Sequence, residues 1–142
     1  MARVGLLEDN TRIARLCAMM LCYAGHEVSI YAHPSECLCA LHLFSDTQPT
    51  GERLSSLNAL PIDVLILDLH LPDINGIEII HRLHSQPLTN SIPLIFCTAA
   101  TPTEISKAMH LAPRANFLAK PFSYRSLISA IANALQMQRE KA

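Results

Sequence analysis

Short apolar runs alternating with stretches of helical period constrain this chain more than any other feature. The runs fall near residues 3–8, 26–31, 62–68, 92–98 and 115–119, and segments with apolar residues three and four apart separate them. Such alternation predicts βα units and an α/β fold with a parallel sheet. Polar alternation is nearly absent within the runs: Val64-Leu65-Ile66-Leu67 and Leu94-Ile95-Phe96-Cys97 are apolar throughout. Strands of that kind need cover on both faces, so helices are expected on both sides of the sheet. A length of 142 residues, half of them hydrophobic, suits a single domain over 1–142.

The helical segments carry their own start and stop signals. The first, about 10–24, is expected to bury Ile13, Leu16, Cys17, Met20 and Ala24 and to end at Gly25, which can take the left-handed cap conformation. The second starts at Pro34 and reaches about Phe44. The third, about 75–86, is apolar at Ile77, Ile80 and Leu83, and Pro87 stops it. The fourth opens with Thr101-Pro102-Thr103-Glu104, a capping box with Pro in the first turn. The fifth, about 123–138, has Tyr124, Leu127, Ile128, Ile131 and Leu135 as its apolar stripe, and residues 136–142 read as a fraying tail or the start of a linker. Residues 45–60 exceed the roughly 2–6 residues of a compact helix-to-strand loop, so they read as an insertion in which a helical turn fits at 52–57.

Charge and composition remove several classes of function. Formal net charge is -1, pI is about 6.6, and no block of like charges occurs, so direct contact with nucleic acid or an anionic membrane surface is not expected. No apolar run approaches the roughly 18 residues that span a bilayer, and Met1-Ala2-Arg3 leads straight into a strand, so the chain is expected to be soluble and cytoplasmic. Cys17, Cys22, Cys37, Cys39 and Cys97 lack CxxC spacing and occupy apolar positions, which reads as reduced core thiols.

Chemistry gathers where the strands end. Glu8-Asp9 closes the first run and Asp68 the third, where Leu69-His70-Leu71-Pro72-Asp73-Ile74-Asn75-Gly76 follows; Thr98 closes the fourth and Lys120-Pro121 the fifth. In an open parallel sheet the functional crevice lies beyond the carboxyl ends of the strands. Three carboxylates crowded together repel unless a cation lies among them. An all-oxygen set with open positions suits Mg²⁺, which keeps several waters and takes one or two carboxylates plus a phosphate. A carboxylate can also attack a phosphoryl group to give an acyl phosphate, with a lysine and a hydroxyl to stabilise the transferred oxygens.

Together, and in this order, these residues resemble the receiver domain of bacterial response regulators, the CheY-like superfamily, over essentially the whole chain. The matching residues are Glu8-Asp9, Asp68 with Leu71-Pro72…Gly76, Thr98-Ala99, and Phe117…Lys120-Pro121-Phe122. The resemblance implies a flavodoxin-like, doubly wound five-stranded sheet in the order 2-1-3-4-5. It implies a phosphorylation-dependent switch of a two-component system or phosphorelay, in which Asp68 becomes 4-aspartylphosphate at the expense of a sensor histidine kinase or a phosphotransfer protein. Glu8, Asp9, Asp68 and the backbone carbonyl of His70 would hold Mg²⁺. Lys120 would pair with the phosphoryl oxygens, and Thr98 would move to meet them. Phe117 matches an aromatic switch position, and the signal would leave through the face of the fourth helix, fifth strand and fifth helix, towards an output domain, a target protein or a second copy. A cis bond before Pro121 is also implied. The chain would not be an enzyme beyond its own phosphorylation and autodephosphorylation.

Pro113-Arg114 departs from the Gly-Ala often found in this family, and His70 stands at a position thought to tune phosphoryl lifetime. Taken singly, each residue also has a plainer role. Asp68 and Glu8-Asp9 are acids that favour helix N-termini, Thr98 is a β-branched strand residue, Lys120 a solvated charge and Phe117 a core side chain. His81 and His84 have i,i+3 spacing, but without a third ligand they read as solvent-facing. The alternative functions are a metal-dependent phosphatase-like enzyme of the same fold, or an interaction module indifferent to phosphorylation. A free-standing regulator and the N-terminal part of a longer protein fit equally well.

Overall fold

A computed structural model of the protein describes residues 2–41, 62–69, 76–99 and 101–141. Its elements run β1 (Arg3–Leu7), α1 (Thr11–Tyr23), β2 (Glu27–Tyr31), α2 (Pro34–Ala40), β3 (Val64–Leu67), α3 (Gly76–His84), α4 (Pro87–Asn90), β4 (Leu94–Thr98), α5 (Pro102–Leu111), β5 (Asn116–Ala119) and α6 (Tyr124–Lys141). The five strands form one parallel sheet in the order β2-β1-β3-β4-β5. That is the flavodoxin-like arrangement expected. The insertion assigned to 45–60 and the part of the second helix expected beyond Leu41 lie outside the described residues.

Side-chain alternation along the central strands divides the core in two. Leu7, Leu65, Leu67, Leu94 and Phe96 point to one face, where Cys37 and Leu38 of α2, Ile79 and Leu83 of α3 and Ala108 of α5 cover them. Val4, Leu6, Val64, Ile66, Ile95 and Cys97 point to the other, under Ala14, Cys17 and Leu21 of α1 and Leu127, Ile131 and Ala134 of α6. With both faces covered, the central strands have no polar position to alternate with. The edges behave differently: β2 fully buries only Tyr31, and β5 only Leu118.

Local signals act as expected at several ends. Gly25 has φ +92° and follows the last turn of α1. Thr101 accepts from the Glu104 backbone N–H while Glu104 Oε1 accepts from the Thr101 N–H, closing the capping box. Lys120-Pro121 is cis. Pro87 does more than stop a helix: it is the first residue of the one-turn α4, which Thr89 ties back by donating to the Leu83 carbonyl at 2.6 Å. The polar stretch from Gln136 to Lys141 continues α6.

Two helix faces are rotated from expectation. Leu16 is 53% exposed, because Ala14, Cys17 and Leu21 meet the sheet and their smaller members let α1 approach it. Tyr124 is 40% exposed and packs edge-on against Tyr23, with ring centroids 5.8 Å apart, while Leu127, Ala130, Ile131 and Ala134 make the buried stripe of α6. Cys17, Cys37 and Cys97 are buried, but Cys22 and Cys39 are exposed, so the reading of all five as core thiols fails for two. None of the five is in a disulfide. Among the described residues, no helix is long and apolar enough to cross a membrane.

Candidate functional site

The parallel register brings the strand ends to one edge. Leu7 is level with Leu67, Leu67 with Phe96, and Thr98 with Ala119. Hydrogen bonding continues one residue beyond the strands: the Glu8 N–H donates to the Tyr31 carbonyl at 3.1 Å, Asp68 to Leu7 at 3.2 Å, and Lys120 to Thr98 at 3.3 Å. The backbones of Glu8, Asp68 and Lys120 are thus fixed by the sheet itself.

Glu8 and Asp68 are only 3% and 6% exposed. Lys120 reaches across both, with Nζ 2.5 Å from Glu8 Oε1 and 2.9 Å from Asp68 Oδ2. Asp9 is exposed, yet ligand atoms of Glu8, Asp9 and Asp68 all lie within 4.8 Å of one another. Burial raises the Glu8 pKa, and repulsion from Asp68 adds to this; the hydrogen bond and charge of Lys120 oppose it without cancelling it. Burial also works against the Lys120 ammonium, but hydrogen bonds and attraction to the two carboxylates prevail and hold its pKa up at about 12. Crowded carboxylates with an ammonium drawn in between make a cation-seeking crevice. Their hard oxygens fit Mg²⁺ in ligand type and number.

Of the other residues singled out, Thr98 ends β4 and is 1% exposed. Phe117 is level with Phe96 on β5 but is 38% exposed, because β5 is an edge strand; it is not the core residue its apolar character suggests. His70 lies outside the described residues. His81 and His84 are exposed, and the acidic trio is the one metal-competent cluster among the described residues. Asn10 is an addition. Its side chain caps α1 by accepting from the backbone N–H groups of Arg12 and Ile13, while its own backbone N–H donates to Glu8 Oε2 at 3.3 Å. Asn directly before a helix is a cap signal, and it frees Asp9 from capping duty.

A family model of the response regulator receiver domain matches residues 4–132, and the chain belongs to that family. Among curated proteins, response regulator SaeR of Staphylococcus aureus is 26% identical over 140 residues, which are 99% of this chain and 53% of that protein. The chain therefore spans about half the length of the curated relatives it matches. Among solved structures, a response regulator of Chloroflexus aurantiacus described as putative is 27% identical with a TM-score of 0.76, over 95% of this chain and 98% of that one. A CheY-like receiver domain protein from Methanospirillum hungatei superposes with a TM-score of 0.74 at 24% identity, over 100% of this chain and 99% of its own. This chain is thus a receiver domain of the two-component response regulators, a family of signalling switches.

Proposed function

We propose that Asp68 is the phosphoacceptor of this receiver domain. The observation that carries the reading is the Lys120 ammonium bridging two buried carboxylates at the sheet edge. A solvated surface lysine would not hold that position, whereas a lysine that must meet an incoming anion at Asp68 would. A carboxylate oxygen of Asp68 attacks phosphorus, the bond from phosphorus to the donor group breaks, and the donor leaves with the electron pair, giving an acyl phosphate. Glu8, Asp9 and Asp68 would hold Mg²⁺, with the backbone carbonyl of His70 as the further ligand the family resemblance implies, and the ion would supply positive charge to neutralise the phosphoryl oxygens. Lys120 gives up Asp68 to pair with the same oxygens, and Thr98 donates its hydroxyl to one of them. The donor is a sensor histidine kinase or a phosphotransfer protein.

The output follows from where Thr98 stands. It precedes by three residues the Thr101 cap of α5, so drawing its hydroxyl towards Asp68 moves the helix start, and Phe117 on β5 turns into the space released. The changed face of α5, β5 and α6 then meets an output domain or a target protein. Relatives of about twice the length favour an output domain in the same polypeptide.

Mg²⁺ and a small acyl phosphate should add about 80 Da of acid-labile phosphoryl group to the wild type and nothing to Asp68→Asn, read by intact mass. Equal uptake by both would refute the assignment. Thr98→Ala separates chemistry from output: it should still be phosphorylated, while amide shifts on adding beryllofluoride stay around Asp68 and fail to reach α5. Shifts that spread through α5 as in the wild type would remove Thr98 from the route.

A further inference from the structure

The edge of the sheet opposite Asp68 has a cavity of about 290 Å³, and its wall includes the Pro113-Arg114 turn in which this chain departs from the usual pattern of its family. Ile92, Leu94, Ala112, Ala115 and Ala134 line it and are buried, whereas His84, Asn90 and Arg114 stand at its mouth and are exposed. The cavity is a half-open cleft with an apolar back and the polar side chains of His84, Asn90, Ser91 and Arg114 around its entrance, a combination that suits a ligand with one apolar and one polar end. The volume suffices for a ring or a short branched chain, since a dry cavity of about 150 Å³ admits benzene.

Charge decides what else the ligand carries. Arg114 has no ion-pair partner among the described residues. Burial, then the neighbouring His81, lowers the His84 pKa, so His84 presents a neutral ring at pH 7 and Arg114 is the cation at the mouth. Helices α3 and α5 end here, at His84 and Leu111, and the negative ends of their dipoles disfavour an anion deep in the cavity. An anion is therefore acceptable only at the mouth, on the guanidinium, whose fork matches a carboxylate.

We propose that this cavity binds a small apolar monocarboxylate, with its ring or branched chain against Ile92, Leu94 and Ala115 and its carboxylate on Arg114. Proline at 113 restricts the backbone of the turn that carries Arg114. Benzoate is a suitable probe, with benzyl alcohol as its uncharged counterpart and NMR amide shifts as the readout. Benzoate should shift Ile92, Leu94 and residues 112–115 saturably, and benzyl alcohol should bind the same place about tenfold more weakly, as expected for loss of one charge-assisted contact. Arg114→Gln, at an exposed position that folding does not depend on, should weaken benzoate about tenfold and leave benzyl alcohol unchanged. No saturable shift with benzoate, equal binding of the two probes, or benzoate affinity unaltered in Arg114→Gln would each overturn the proposal.

Discussion

The two edges of the sheet carry ion pairs made of the same kinds of group, and they do opposite things. At the amino edge, Arg3 and Asp63 meet at 3.0 Å with side chains 46% and 38% exposed, and Asp63 also accepts from the Arg3 backbone N–H at 2.8 Å. The Arg3 guanidinium holds the Asp63 pKa down, and the Arg3 pKa rises in turn: both groups are more comfortable charged here than in the unfolded chain. At the carboxyl edge, the Glu8 pKa moves upwards despite a lysine at 2.5 Å. There the fold has taken the Glu8 charge out of water at a cost that Lys120 does not fully repay, although the two carboxylates more than repay the burial of the lysine. The amino-edge pair is a modest fastening. The carboxyl-edge cluster carries a strain that a surface pair does not, which is what the proposed phosphoryl transfer to Asp68 would require.

The comparison breaks most readily at Lys120. Lys120→Met leaves Glu8 and Asp68 buried together without their cation, and should cost about 3 kcal/mol at pH 7, the lower end for breaking a buried pair. Urea denaturation would measure this. The loss should shrink as pH falls towards the carboxylate range, because the raised pKa of Glu8 means that the fold takes up this proton more readily than the unfolded chain does. In the wild type, the lysine's own contribution is complete below pH 10.5 and disappears as pH rises through about 12. Should Lys120→Met cost nothing at pH 7, the cluster would be no more strained than a surface pair.

A smaller effect is expected at the other edge. A double-mutant cycle on Arg3 and Asp63 should give a coupling of less than about 1 kcal/mol, since both groups are well exposed and screened. Its sign with pH follows from the lowered pKa of Asp63: the coupling is present above the ordinary carboxyl value of 3.8 and fades as pH falls through the lower folded value. A coupling as large as the Lys120 effect would erase the distinction between the edges.

What could be read from the sequence divides along similar lines. The carboxyl edge was legible because it is written in order: an unalternating apolar run, then an acid, a hydroxyl or a lysine, at Glu8, Asp68, Thr98 and Lys120. Gly25 and the Thr101–Glu104 box act locally, and local signals survive tertiary packing. Helix faces were less legible. Hydrophobicity alone prefers Leu16 to Ala14 and Tyr124 to Ala130, but close packing against a sheet favours the small side chain where a helix comes near. Phe117 looks like core until β5 is known to be an edge strand. Asn10 was overshadowed by the acids beside it. The cavity behind Pro113-Arg114 depends on the ends of α3 and α5 meeting, which no stretch of sequence displays.

The central claim is that the buried cluster exists to make Asp68 an acceptor, and chemical trapping tests it at the residue itself. Borohydride reduces an acyl phosphate to the alcohol, so a phosphorylated aspartate becomes homoserine, and peptide mass spectrometry then locates it. After Mg²⁺, phosphodonor and borohydride, homoserine should be found at position 68 and at no other acid. Homoserine at position 9 or 63 with Asp68 intact, or phosphate on His70 instead, would contradict the account.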